Sequence, residues 1–144
     1  MFEFAKITRL PVLVMAAAVL LFVGVPARAD DIRIGVQTQG TVRYLSGGIG
    51  FGERERLSEM ASHEKMNLKL VFDERNGAFL SAVPVKITDA SGTVRLQVTT
   101  DGPWLFVRLP AGEYRYRAEH DGHVQSGSVT VPETGRIETV VSFS

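Results

Sequence analysis

The chain contains no cysteine, which excludes a disulfide framework, a thiolate nucleophile and a thiolate metal site. Neither charge is in excess, because 16 basic residues balance 16 acidic residues over 144 positions. A protein that binds nucleic acid or an anionic membrane surface carries a clustered excess of basic residues. The composition therefore predicts neither kind of partner, and an apolar core must stabilise the fold without covalent crosslinks.

Long hydrophobic runs are also scarce, and the one uncharged apolar run, at 10–25, lies near the amino terminus. It is shorter than the roughly 20 residues that a membrane-spanning helix needs. Lys6 and Arg9 precede it, and an Ala-x-Ala sequence ends at Ala29. These features predict a secretory signal peptide cleaved between Ala29 and Asp30. We expect a mature protein that is periplasmic or secreted and not inserted in a membrane; an uncleaved anchor is the alternative.

Short alternating apolar runs fill the chain after Asn67, and Gly, Pro and Asx turns separate them. In one of them Tyr114, Tyr116 and Ala118 point to one face while the arginines between them point to the other. This rhythm predicts an antiparallel β-sandwich or barrel. The seven predicted strands are 68–72, 83–88, 94–99, 104–109, 114–119, 125–131 and 137–143.

The predicted core consists of the side chains that these strands direct inward. Each such side chain contributes about 1.5–3 kcal/mol when it is fully buried. The members are Leu68, Leu70, Phe72, Val83, Val85, Ile87, Val94, Leu96, Val98, Leu105, Val107, Leu109, Tyr114, Tyr116, Val129, Val131, Ile137 and Val141.

The segment between the predicted signal peptide and the predicted sandwich is less regular. Residues 30–44 predict one short strand, or an extended lead-in followed by a second short strand. The glycine-rich stretch 45–52 opens into a predicted helix at 53–66, in which Leu57, Met60 and Ala61 share a face. A glycine-rich loop before a helix can bind an anion, but Glu53 and Glu55 already place negative charge there. The alternative is a loop that needs positive φ or close backbone approach.

A family resemblance rests on three stretches of the second half of the chain. These are Asn67-Leu-Lys-Leu-Val-Phe72, Ala82-Val-Pro-Val-Lys-Ile-Thr-Asp-Ala-Ser-Gly92 and Asp101-Gly-Pro-Trp-Leu-Phe-Val-Arg-Leu-Pro-Ala-Gly-Glu-Tyr-Arg-Tyr-Arg-Ala118. They resemble the carboxypeptidase regulatory-like domains, and the Gly-Gly-Ile-Gly stretch resembles a segment of small exported proteobacterial proteins of this type. The resemblance implies a transthyretin-like or carbohydrate-binding-like β-sandwich. Together with the strand and helix patterns, it predicts an all-β, seven-stranded antiparallel Greek-key sandwich with a short amino-terminal helix.

The predicted domain organisation follows from the signal peptide and the family resemblance together. We expect a signal peptide at 1–29, an extension with the glycine-rich loop and the helix at 30–66, and the carboxypeptidase regulatory-like sandwich at 67–144. Domains of this type serve as accessory modules in many settings, so the resemblance predicts a fold more sharply than a function.

Two sets of side chains are candidates for a site. His120, Asp121 and His123 flank a predicted hairpin turn and could hold a metal ion; the alternative is a solvated hairpin tip. If Leu105 and Val107 face the core, the outward residues of the same strand are Trp104, Phe106 and Arg108. Such a stripe suits a sugar ring or a partner's apolar side chain. The alternative is that the helix or the lead-in covers this stripe.

The leading functional prediction is a non-enzymatic accessory module that binds a protein or another envelope component through Trp104, Phe106 and Arg108. A carbohydrate-binding module is the alternative, and an enzyme with an unrecognised site is the third possibility. The chain has no Gly-x-Ser-x-Gly motif and no metal-ligand spacing typical of a zinc site, so no catalytic residue, metal or cofactor is predicted.

Overall fold

The computed structural model describes residues 34–144, which form nine strands and one helix. The predicted signal peptide and its cleavage site at Ala29 and Asp30 lie outside the described residues. The elements in chain order are β1 (Gln37–Gln39), β2 (Val42–Gly47), α1 (Phe51–His63), β3 (Leu68–Glu74), β4 (Pro84–Asp89), β5 (Val94–Thr99), β6 (Trp104–Arg108), β7 (Gly112–His120), β8 (His123–Val131) and β9 (Ile137–Phe143).

The strands make two sheets, in the order β1-β2-β6-β3-β9 and the order β5-β4-β7-β8. The predicted all-β sandwich is therefore confirmed. The predicted count of seven strands is wrong, because β1 and β2 add a hairpin to the five-stranded sheet, where β2 pairs with β6. The sandwich is also not purely antiparallel. The chain crosses from one sheet to the other between β8 and β9, so β9 arrives beside β3 in the parallel direction.

The main core lies between the two sheets, and most of the predicted core residues are buried there. Val98, Tyr116 and Ile137 are only partly buried at its margin. Val94 is the exception, because 46% of it is exposed. A bulge between Ile87 and Thr88 pairs Val94 with Thr88, which shifts the alternation and turns Val94 away from the core. The core also includes four side chains outside the predicted set: Val42, Leu80, Ala118 and Phe143.

A second, smaller core lies on the other face of the five-stranded sheet, beneath α1. Its fully buried members are Leu45, Leu57, Ala61, Met66 and Phe106. The predicted helix is present, but it starts and ends two or three residues before the predicted bounds. It ends early because Lys65 adopts a left-handed conformation with φ of 54°. The Met66 amide then donates to the Ala61 carbonyl at 2.9 Å, a pattern that closes helix carboxyl termini.

Candidate functional site

The stripe predicted on β6 is divided by α1, which crosses the middle of it. Phe106 is fully buried in the small core, Trp104 is partly buried beside that core, and Arg108 is exposed. A continuous platform of the three side chains is therefore not formed, and the alternative in which the helix covers the stripe describes this face. Trp104 lies towards the amino-terminal end of α1, where Gly48 contacts its ring, and Arg108 lies just beyond the carboxyl-terminal end.

Exposed apolar side chains lie near Trp104, on the outer face of the five-stranded sheet and on the segment that enters α1. Across that sheet Gly47, Trp104, Val71 and Val140 are cross-strand neighbours in one row. Val140 is 52% exposed at the outer strand of this row. We call the set Ile49, Phe51, Phe79, Trp104 and Val140 the aromatic patch.

The other members of the aromatic patch reach it from loops and from the helix. Phe79 is 50% exposed and forms an antiparallel bridge with Asp73, whose side chain shares the outer face with Val71. Ile49 and Phe51 are 58% and 75% exposed. They lie on either side of Gly50, the residue that precedes α1. Because residues three apart on a helix are neighbours, Phe51 lies on the same side as Arg54. Four of the six exposed large hydrophobic residues in 34–144 thus belong to this patch.

Two cations lie over the aromatic rings of the patch. The Arg54 guanidinium is 4.7 Å from the Phe79 ring centroid and 5.9 Å from that of Trp104. The Lys69 ammonium is 3.6 Å from the Trp104 centroid and 3.3 Å from a Glu138 carboxylate oxygen. These contacts hold the ring of Trp104 in place, since cation–π pairs contribute about 0.5–1 kcal/mol even at exposed sites. The Lys69 ammonium also covers one face of that ring.

The glycine-rich loop positions the patch by close backbone approach, as the alternative interpretation of that loop predicted. A Cβ atom on Gly102 would lie 2.4 Å from the main chain of Gly47, and one on Gly48 would lie 3.2 Å from the Trp104 ring. Gly47, Gly48 and Gly50 also have positive φ. The Gly48 amide donates to a Glu53 carboxylate oxygen at 3.0 Å, so a carboxylate of the chain itself occupies the place that an external anion would take.

The three candidate metal ligands lie at the β7–β8 turn, where His120 and His123 are cross-strand partners. The His120 Nε2 atom is 3.3 Å from an Asp121 oxygen and 3.7 Å from a Glu74 oxygen. His123 is exposed. Within 34–144 no group of three or more His, Asp or Glu side chains has the geometry to hold a metal ion.

The exposed face of the four-stranded sheet carries Arg115 and Arg117, in agreement with the alternation of β7. Lys86 is directly opposite Arg117 on β4. Glu113 and Glu119 flank this pair of arginines along the same strand face. On the neighbouring strand β8, Ser128 lies opposite Arg115 and Ser126 lies opposite Arg117. This face has the mixed charge of an ordinary solvated surface.

The described residues contain no helix with the length and apolarity to span a membrane. Comparison with the known protein families finds no match, and no curated protein is significantly similar to the chain.

The aromatic patch includes one residue of the predicted stripe, Trp104, and four that sequence reasoning missed. Ile49, Phe51 and Phe79 follow no periodic pattern, because they lie in a loop, at a helix start and after a turn. Val140 alternates with core residues on β9 and is absent from the predicted core. An isolated large apolar residue outside a periodic run was the available signal for the first three.

Proposed function

We propose that this protein is an exported, non-enzymatic binding module, and that its aromatic patch docks apolar side chains of a protein partner. The observation that carries the proposal is that exposed apolar side chains flank Trp104. Phe79 shares the Arg54 guanidinium with it, Val140 lies in its cross-strand row, and Ile49 and Phe51 are exposed where the chain enters α1. Exposed large hydrophobic residues that are scattered singly need no explanation, whereas a contiguous patch is typical of an interaction site.

The make-up of the patch supports a protein partner. Protein interfaces combine an apolar, aromatic centre with a polar rim, and Trp, Phe and Arg are enriched in them. Here Trp104 and Phe79 form the centre and Arg54 lies over both rings. Lys69 and Glu138 form an ion pair at the rim, which a partner with polar groups around an apolar anchor can join.

A carbohydrate ligand is the second candidate, because Phe51 presents an aromatic ring that is largely free. Sugar rings stack on an open aromatic face. The Lys69 ammonium covers one face of Trp104 at 3.6 Å, and this contact favours a protein partner over a glycan at the sole tryptophan.

The finer fold assignment belongs to the same proposal. The two facing sheets and the Leu-Pro-Ala-Gly-Glu-Tyr turn at 109–114, which joins β6 to β7, support a transthyretin-like, carboxypeptidase regulatory-like sandwich. The signal peptide predicted at 1–29 supports a periplasmic or secreted location. An accessory role in the envelope combines these features.

Site-specific photo-crosslinking in cells tests the proposal. Benzoylphenylalanine is placed at position 51 or 79, and at position 124 as the control, because Val124 is a similarly exposed apolar residue, at 41%, on the other sheet. We expect one discrete protein adduct from positions 51 and 79 and none from 124. The adduct should disappear when the untagged wild-type chain is overexpressed as a competitor.

A double variant that carries Phe51→Ser and Phe79→Ser completes the test. It should keep the unfolding midpoint of the wild type, because both residues are at least half exposed. It should no longer bind the protein partner. An adduct formed by the chain with itself, together with dimers in sedimentation that the double variant lacks, would identify the partner as a second copy. Equal labelling from all three positions, or no adduct together with binding in a sugar panel, would overturn the protein-docking proposal.

A further inference from the structure

A cationic groove lies at the other end of α1, where the helix turns into β3. Its volume is about 640 Å³, within the range of sites for small organic ligands. It lies between the α1–β3 turn, the end of β6 and the β8–β9 turn. The polar side chains that line it are Ser62, Lys65, Asn67, Arg108, Glu133, Thr134 and Arg136.

The charge of the groove is unbalanced. Lys65, Arg108 and Arg136 contribute three positive charges, and Glu133 is the one acidic side chain of the lining. Within residues 34–144 none of the three cations forms an ion pair with a carboxylate. Like charges gathered in one concavity repel each other, so this arrangement costs stability unless an anion joins it.

Both arginines are held in place by contacts that leave most of their donors free. The Arg108 Nη1 atom donates to the Lys65 carbonyl at 2.7 Å, and the Arg136 Nε atom donates to the Met66 carbonyl at 2.9 Å. The Arg136 guanidinium also lies 4.9 Å from the Phe106 ring centroid. A guanidinium has five N–H donors. Each group therefore keeps several, and planar guanidinium groups of fixed orientation suit phosphate and carboxylate oxygens.

The floor of the groove is rigid. Asn67 is buried, its Nδ2 atom donates to the Leu109 carbonyl at 2.6 Å, and its Oδ1 atom accepts from the Leu109 amide at 2.9 Å. Its own carbonyl accepts from the Ile137 amide at 3.1 Å. The side chain of Asn67 thus ties the start of β3 to the end of β6, and its main chain ties the start of β3 to the start of β9. A groove held in this way loses little conformational entropy when a ligand binds.

We propose that this groove binds a small organic anion through a phosphate or carboxylate group, with Lys65, Arg108 and Arg136 as its ligands. This site is separate from the aromatic patch and does not depend on the function proposed above. Partial burial also lowers the pKa of Arg136, and the nearby Glu138 carboxylate offsets this only in part. The volume of the groove accommodates a sugar-sized group beyond the anionic one.

A structural role for the arginines is the competing explanation, since each binds a carbonyl at the end of α1. The decisive variant is therefore Lys65→Gln, which removes a groove charge whose ammonium makes no hydrogen bond or ion pair within 34–144. Arg108→Gln is the second variant. Lys86→Gln is the matched control, because it removes the same charge from the exposed face of the other sheet.

Titration calorimetry in low-salt buffer, with inorganic phosphate, glucose 1-phosphate and glucuronate as probes, tests the site. We expect saturable binding of at least one probe to the wild type. The affinity should fall about tenfold or more in Lys65→Gln and in Arg108→Gln, as for lost hydrogen bonds to charged groups, and remain unchanged in Lys86→Gln. Binding of the phosphate probes alone would identify a phosphorylated ligand, and binding of glucuronate alone an acidic sugar.

Amide chemical-shift changes confined to the α1–β3 and β8–β9 turns would place the bound anion in the groove. No saturable heat with any probe, or equal losses in Lys65→Gln and Lys86→Gln, would overturn the proposal. The double variant Phe51→Ser and Phe79→Ser should bind the probes as the wild type does, so a failure of one site is distinguishable from a failure of the other.

Discussion

Replacing Gly102 by Ala tests whether the glycine-rich loop is positioned by backbone contact. A Cβ atom at this buried position would lie 2.4 Å from the carbonyl carbon and oxygen of Gly47. Both of these atoms are main-chain atoms, so no change of rotamer relieves the overlap. The two segments would have to separate by about 1 Å to reach the 3.4 Å of an ordinary van der Waals contact.

The cost of this separation follows from what lies beside it. The Asp101 amide donates to the Ser46 hydroxyl at 2.8 Å, and Gly47 pairs with Trp104 at the end of the β2–β6 ladder. Overpacking a tight site costs about 1–3 kcal/mol, and a lost hydrogen bond costs about 1 kcal/mol. We therefore expect the Gly102→Ala variant to lose about 2–4 kcal/mol of unfolding free energy.

Urea unfolding followed by the fluorescence of Trp104, the sole tryptophan, measures this loss. With a denaturant slope of about 1.5–2 kcal/mol per molar, the midpoint should fall by about 1–3 M. Gly52→Ala is the control, because Gly52 lies in α1 with nothing within 4 Å of an added Cβ, and it should gain about 0.5–1 kcal/mol. A Gly102→Ala variant with the midpoint and emission spectrum of the wild type would refute the close approach.

Three further changes test other parts of the structure. Phe106→Ala should cost about 3–5 kcal/mol in urea unfolding because the ring is fully buried; a loss below 1 kcal/mol would contradict its burial. The 2.6 Å hydrogen bond from Ser91 lowers the pKa of Asp89, so its stabilisation is present above about pH 4 and is lost as the pH falls through the lowered pKa. The midpoint difference between the wild type and Asp89→Asn should therefore be constant from about pH 7 to 5 and shrink by about pH 2; a difference that is the same at both extremes would contradict it. Tyr114→Phe removes a 2.7 Å hydrogen bond to the Pro110 carbonyl and should lower the unfolding free energy by about 1 kcal/mol, a loss that thermal unfolding should detect and that would be absent if this bond did not form.

The alternation of apolar residues was enough to predict the sandwich, because inward-facing positions of a strand repeat every second residue. It failed at β5, where Val94, Leu96 and Val98 alternate as if they shared a face. The bulge that pairs Val94 with Thr88 depends on the register of two strands. A single strand's pattern does not contain that register.

The position of α1 had a signal in the sequence of β6. Leu105, Phe106 and Val107 are consecutive and all fully buried, and an uninterrupted apolar run is typical of a strand that is covered on both faces. One face of β6 is covered by the other sheet, so the second face required a further element. The aromatic patch had only isolated apolar residues as a signal, and these do not show which residues meet, because Phe79 reaches the patch through the tertiary pairing with Asp73.

The helix that buries Phe106 also separates two surfaces of different chemistry. Its 13 residues extend over about 20 Å at 1.5 Å per residue. The aromatic patch at the start of α1 and the cationic groove at its end are thus too far apart to share one small ligand. Substitutions at sites more than about 10 Å apart usually add without coupling. Any measured coupling between the patch and the groove would therefore have to pass through a movement of α1 on the small core formed by Leu57 and Phe106.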